Sequence, residues 1–332
     1  MHNLLFTDNA TPVIFRDLKW VDRAPTLVLE TTQDVRPTGI LTQVPLTPGA
    51  FLGFSTIKTD LQATGLSTNR YCAGYAQASH QYVGFEHRPC PNTAPITTGK
   101  QCSRCIALDE FSAMHGIHRG ARLLPAAQAY ASLDHWLYIA TFPDGTSKIG
   151  TASAHSNPRR LDEQAVAFAT FIGHANDGAQ VRIWEDFISK ETGLVQAKQA
   201  RAKYKAWCSP LPHDRVEKAH SQAVALARWS LQEAALFEDF ITEDQIIDQP
   251  WQPSSAMEST YSALKAGWLN ALPTLVDREC GFYVSGATGK FLTVHHGDPA
   301  LPFLVNLTEL SNRALLPHHQ PSEQPLSQSS LF

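Results

Sequence analysis

Short apolar runs alternating with polar and turn residues open the chain. Residues 13–15, 26–30, 40–44 and 51–57 are apolar-rich stretches divided by Pro and Gly, which predicts a small β-rich unit over residues 1–65. No helical period persists through 66–125. That region holds five glycines between Gly74 and Gly120, several prolines and four cysteines, and it reads as loop-rich and in need of a cross-link. The pattern sharpens at residues 136–142, an apolar run of strand length. Pro143-Asp144-Gly145-Thr146 supplies a turn, and Ser147-Lys148-Ile149-Gly150 returns as the second arm of a hairpin.

After this hairpin the spacing changes. Leu161, Ala165, Phe168 and Ile172 recur at 4-3-4 intervals and predict a helix. Ile183, Trp184, Phe187 and Ile188 predict a second helix. An Ala-rich stretch from about Val195 predicts a third, with Lys198, Arg201 and Lys205 on one side. A long helix is expected over 214–237, a linker over 243–258, and a further helix over 260–272. Three short strands follow at 281–284, 291–294 and 303–305, and a Ser/Gln/Pro-rich tail from 318 reads as disordered. The expected fold class is α+β. Its parts are the β-rich N-terminal unit with a four-cysteine region, a central small sheet with helices (130–210), a helical segment (211–275) and a small C-terminal β element (276–317).

Composition narrows the function classes only a little. The 332 residues are 43% hydrophobic and 17% charged, as in a soluble globular protein with room for more than one folding unit. A net charge of −4 argues against binding nucleic acid over the whole surface but leaves a local patch open. From Lys148 to Lys205, nine basic side chains face six acidic ones, a local excess of +3. Lys198, Arg201 and Lys205 could track phosphates there, or form an ordinary solvated helix face. The first residues lack a signal-peptide pattern and no apolar run reaches membrane-spanning length, so a cytoplasmic protein is expected.

Cys102-Ser103-Arg104-Cys105 offers two thiolates from one turn, and Cys72 and Cys90 complete a tetrahedral set for structural zinc. His80, His87, His115 and His118 are reserve ligands. Four unrelated buried thiols, or a redox-active pair at 102 and 105, are the alternatives.

In the central segment, Arg160 suits bidentate contact to a phosphate and Lys148 would act as a point charge. Glu185 could anchor Mg²⁺ or Mn²⁺, and Tyr138 could position water. Singly, each residue has an ordinary structural explanation, so their order carries the argument. That order is a strand tyrosine, Lys148-Ile149-Gly150, an arginine at a helix start and a later helical glutamate. It resembles the GIY-YIG nuclease superfamily. The resemblance narrows to the bacterial family called domain of unknown function 2797. The stretches that carry it are Cys72–Gly74, Cys90-Pro91, the 102/105 pair, Arg160-Leu161-Asp162-Glu163-Gln164-Ala165, Arg182-Ile183-Trp184-Glu185-Asp186, Thr192-Gly193-Leu194-Val195-Gln196, Gly286-Ala287-Thr288-Gly289-Lys290-Phe291-Leu292 and Leu310–Leu315. It implies a nucleic-acid-binding protein with catalytic candidates Tyr138, Lys148, Arg160 and Glu185. The family pattern has glycine where Trp136 stands and tyrosine, implicated as general base, where Lys148 stands. A protonated lysine cannot take a proton, so an inactive nucleic-acid-binding or protein-interaction module on the same scaffold stays open beside metal-dependent cleavage.

Overall fold

The computed structural model describes residues 11–57, 69–120, 122–267, 269–272 and 274–323. The tail from Gln324 and the side chain of His115 lie outside the described residues.

In chain order, β1 (Val13–Val21), β2 (Ala24–Gln33), β3 (Arg36–Pro45) and β4 (Phe51–Thr56) come first. Two short strands, β5 (Tyr75–Ala78) and β6 (Phe85–Arg88), precede helices α1 (Ser103–Leu108) and α2 (Pro125–Ala131). The middle of the chain comprises β7 (His135–Thr141), β8 (Ser147–Ser153), α3 (Arg159–Asp162) and β9 (Phe168–Ala175). Helices α4 (Gly178–Thr192), α5 (Ala200–Cys208) and α6 (His213–Phe237) follow, then β10 (Ile246–Pro250) and α7 (Glu258–Lys265). The chain closes with β11 (Asn270–Ala271), β12 (Glu279–Thr288), β13 (Phe291–His295), β14 (Phe303–Asn306) and β15 (Arg313–Pro317). The fold is mixed α+β, in two compact units.

Unit 1 comprises Met1–Tyr75, Arg88–Ala107 and Ser254–Phe332. Its described strands form a nine-stranded sheet in the order β11-β14-β13-β12-β4-β15-β1-β2-β3. The N-terminal and C-terminal β segments, expected as separate units, therefore share one sheet. β15 lies between β1 and β4, pairing Leu315 with Val13 on one side and with Thr56 on the other. Neither group of strands could close its edge alone, and the shared β15 pairs both. The start of the expected disordered tail is also seated: the His318 N–H bonds to the Gly53 carbonyl at 3.1 Å and the Ser322 N–H to that of Gly281 at 2.9 Å. Both positions are glycine because a Cβ would meet the tail backbone at 2.2 and 2.1 Å.

Unit 2 comprises Ala76–His87 and Leu108–Pro253. Its four-stranded antiparallel sheet has the order β10-β9-β7-β8. Leu137, Ile139 and Ile149 on one face pack with Val181, Trp184 and Ile188 of α4 and with Ala227, Leu231 and Ala234 of α6.

Three expectations fail in this unit. The helix predicted through Leu161 and Ile172 is instead α3, a turn and β9. Ala165 takes a left-handed φ of 55°, which a right-handed helix does not carry, and Phe168–Ala175 is a central strand buried on both faces. The expected linker contains β10, whose Pro250 sits at the end of an edge strand, where a missing N–H costs no ladder bond. The helix expected from about Val195 begins at Ala200, because the Val195 carbonyl accepts from the Ile149 N–H at 3.0 Å and keeps that stretch extended.

Candidate functional site: a cysteine cluster and a buried polar end of the small sheet

The four cysteine sulfurs of unit 1 lie within 4.8 Å of one another. Tetrahedral coordination at the usual Zn–S distance separates sulfurs by about 3.8 Å; Cys90 Sγ and Cys102 Sγ stand 3.9 Å apart. Local structure aims the sulfurs at a common point. After Cys72 the chain turns at Gly74, with φ 80°. After Cys90-Pro91 it turns again, with the Thr93 N–H bonded to the Cys90 carbonyl at 3.1 Å. Cys102 and Cys105 sit at the start of α1, where the Cys102 carbonyl receives the Ile106 N–H at 3.0 Å. Backbone N–H groups point at two of the sulfurs: Cys102 N to Cys72 Sγ at 3.2 Å and Ala94 N to Cys90 Sγ at 3.5 Å.

The cluster is tied to the large sheet through Tyr71. Arg16, itself paired with the buried Glu30 at 2.6 Å, donates to the Tyr71 carbonyl at 3.0 Å and to Asn312 Oδ1 at 2.8 Å. Electrostatics within the cluster are uneven. Burial pushes the Cys72 thiol up, and it pushes Cys105 up together with the neighbouring sulfurs. At Cys102 burial is outweighed by the Cys105 backbone N–H and the surrounding thiols, and its pKa falls to about 7. Four such sulfurs can hold a metal ion, and among the described residues this is the one group of three or more metal-ligating side chains so arranged.

In unit 2 the four central candidates converge. Tyr138 on β7 faces Gly150 on β8, and register places Lys148 opposite Ala140 on the same face. Lys148 Nζ donates to Tyr138 Oη at 3.3 Å and lies 5.3 Å from the ring centroid. Tyr138 is fully buried and its ring lies over Gly150, where a Cβ would meet Oη at 2.5 Å. Gly150→Ala is therefore expected to destabilise unit 2 by about 1–3 kcal/mol, since a buried ring has no room to retreat. Denaturant unfolding would check it, and an unchanged midpoint would mean that the ring moves freely.

Arg160 is the second residue of α3, with its side chain 43% exposed. Partial burial pulls its pKa down, but the Tyr138 hydroxyl and the Glu163 carboxylate beside it win, and the net shift is upward. Arg160 Nη1 stands 3.6 Å from Glu163 Oε2, three residues on.

Glu185 comes from α4, a well-terminated helix. Asp177 Oδ1 accepts from the Gln180 N–H at 2.7 Å at its start, and Gly193 closes it with φ 72°. The buried stripe is Val181, Trp184, Glu185 and Ile188, whereas Ile183, one of the apolar residues that predicted the helix, is exposed. Glu185 is ion-paired with Arg182. Burial pushes its carboxyl up, countered in part by Arg182 and then by the charge of Lys148. One carboxylate can hold Mg²⁺ when water and a substrate phosphate supply the other oxygens, but the Glu185 carboxylate is buried and already taken by Arg182. The residues present thus do not fit Mg²⁺ or Mn²⁺ at Glu185.

The expected basic stripe divides. Lys198 precedes α5 and is pinned to Asp144 at 2.6 Å, with its ammonium 4.6 Å from the Phe142 ring centroid. It is not part of a helix face. Arg201 and Lys205 are exposed, four residues apart on α5. Lys203 Nζ bonds Gln164 Oε1 at 2.7 Å and Trp207 Nε1 bonds the Ala165 carbonyl at 2.8 Å, which seats α5 beside the segment that follows Arg160. The reserve ligand His118 instead pairs with Asp186 at 3.0 Å. His220 escaped notice in the sequence. It is buried between Thr141 and Thr170, each hydroxyl 2.9 Å from a ring nitrogen, and nothing in a helical histidine's local sequence signals that environment. None of the described helices is long and apolar enough to cross a membrane. No family model, no curated protein and no solved structure matches the chain, so the chemistry of these sites rests on their own residues.

Proposed function

We propose that this is a nucleic-acid-binding protein in which unit 2, a GIY-YIG-like sheet, contacts phosphates through Arg160, Arg201 and Lys205, and unit 1 is held together by structural zinc on the four cysteines. The observation that carries the reading is the convergence of Tyr138, Lys148, Arg160 and Glu185, distant in sequence, at one end of a small antiparallel sheet. Of the four, Arg160 alone has a substantially exposed side chain, and a guanidinium can meet a phosphate with two parallel N–H donors. The donor set of the cysteine cluster fits zinc: four sulfurs at near-tetrahedral separation, two of them receiving N–H bonds. Bound there, zinc would supply structural cross-linking only, since four thiolates leave no open position.

Retention without cleavage is the reading the geometry favours. Tyr138, Lys148 and Glu185 act on one another and on Arg182 rather than on an open cleft. Fluorescence anisotropy with single- and double-stranded DNA and RNA tests it. Binding is expected to weaken with salt at a log–log slope of about −2 to −3 for three phosphate contacts, and Arg160→Ala should flatten that slope by about one contact. No salt-dependent binding to any of the four nucleic acids would sink the proposal. The same samples run on a gel with Mn²⁺ should show retarded, intact oligonucleotide. Cutting that disappears in Glu185→Ala would establish an enzyme instead.

A further inference from the structure

The long helix α6 buries one face and leaves the other apolar. Val216, Ala227, Leu231 and Ala234 point into unit 2, while Leu226, Trp229 and Leu236 are 44%, 58% and 73% exposed. Their spacing, with Ala225, places them on one stripe with Lys218 toward the N-terminus and Glu233 toward the C-terminus. A tryptophan flanked by leucines and a small residue on a solvent-facing helix is the composition of an interface centre.

The charges on this stripe say what covers it. The last turn of α6 has no basic residue, and Glu233 and Glu238 lie at that end. Lys218 and Arg215 lie exposed near the start. Asp214 and Glu217 offset Arg215 and Lys218 at the start, so it is the C-terminal end, with Glu233 and no basic residue in the last turn, that lacks a compensating cation. A second α6 running antiparallel supplies it, setting Lys218 of the partner subunit against Glu233 and Glu233 of the partner subunit against Lys218. We propose that the exposed face of α6 is the interface of a two-fold symmetric dimer, pairing with the same face of a second copy of this chain. In the register that sets Lys218 against Glu233 of the partner subunit, the axis passes midway between positions 218 and 233, between Ala225 and Leu226. The small Ala225 lets the helices approach there, and each Trp229 closes over the central contact beside Gln222 of the partner subunit. An isologous pair repeats every contact twice, so one favourable charge pair counts double.

Sedimentation velocity on nuclease-treated full-length protein tests this over a concentration range from about 1 to about 100 µM. The wild type is expected to pass from monomer to dimer within that range. Trp229→Asp should weaken association more than about tenfold with circular dichroism and melting unchanged, because the side chain is exposed in the monomer. At low salt, Lys218→Glu should weaken it several-fold, and Lys218→Glu combined with Glu233→Lys should restore it. A wild type that stays monomeric throughout, or a dimer untouched by Trp229→Asp, would overturn the interface. Failure of the double charge exchange to rescue would overturn the antiparallel register.

Discussion

Cys102→Ser is expected to remove most of the zinc from the protein and to unravel the segment of unit 1 around the cluster. The hydrophobic cluster there consists of Cys72, Cys90, Ile96 and Cys105, so three of its four buried members belong to the proposed ligand set. Without a metal, the apolar surface left is too small to order a loop of this length against its conformational entropy. Zinc in small structural sites contributes on the order of 10–16 kcal/mol of apparent binding energy, which is folding energy when the apo site does not form. Loss of one thiolate should therefore reduce zinc from about one ion per chain toward none and make residues 88–107 protease-sensitive. Elemental analysis and limited proteolysis of wild type and variant, before and after chelation, measure both effects. A wild type that purifies without metal and resists protease as well as the zinc-loaded form would remove the site. The Tyr71 carbonyl accepts from Arg16 and its N–H donates to the Asn312 carbonyl at 2.9 Å, which predicts that damage stops short of the large sheet.

Acidification should cost unit 2 about 3 kcal/mol through one histidine. His220, on α6, is pushed down by burial to about 4. Its hydrogen bonds to Thr141 and Thr170 do not forbid the imidazolium, since hydroxyls can accept as well as donate; loss of water is what disfavours the charge. Because the folded pKa is depressed, the unfolded chain takes up the proton first. Stability is therefore full above the unfolded value of about 6.5, falls as pH drops from there to about 4, and is flat for this group below. The shift of about 2.5 pH units corresponds to the 3 kcal/mol above at 1.36 kcal/mol per unit. His135, also lowered chiefly by burial, acts in the same direction. Urea unfolding of wild type and His220→Gln between pH 7 and pH 4 isolates the effect: the variant should be less stable at neutral pH but flatter. Parallel pH profiles would show that the imidazole is accessible to water in the folded protein.

Of the candidate site, the cysteine set was the most legible. Cys102-x-x-Cys105 joins thiols through one turn, and Gly74 and Pro91 mark turns beside the other two; such chemistry is local and survives any fold. The hairpin was legible for the same reason, since Pro143-Asp144-Gly145-Thr146 dictates its own reversal and register then carries Lys148 to the face of Tyr138. The long helix was legible because 25 residues of consistent period leave no alternative. Charge was less informative. Lys198 looked equivalent to Arg201 and Lys205, and only the fold brings Asp144 to it.

What tertiary structure alone decided were partners and sheet membership. β9 is helical by apolar spacing and a strand by pairing, because β7 and β10 satisfy its backbone on both edges while both faces are buried. β15 joins the two ends of the chain in one sheet, a contact some 300 residues long for which no local propensity exists. The burial of Glu185, which turns a metal-ligand candidate into the partner of Arg182, follows from its place in the inner stripe of α4 and not from its neighbours in sequence. Propensity and turn chemistry act over a few residues and can be read along the chain. Desolvation and strand pairing depend on what the rest of the molecule brings, and those two decided the chemistry of both sites.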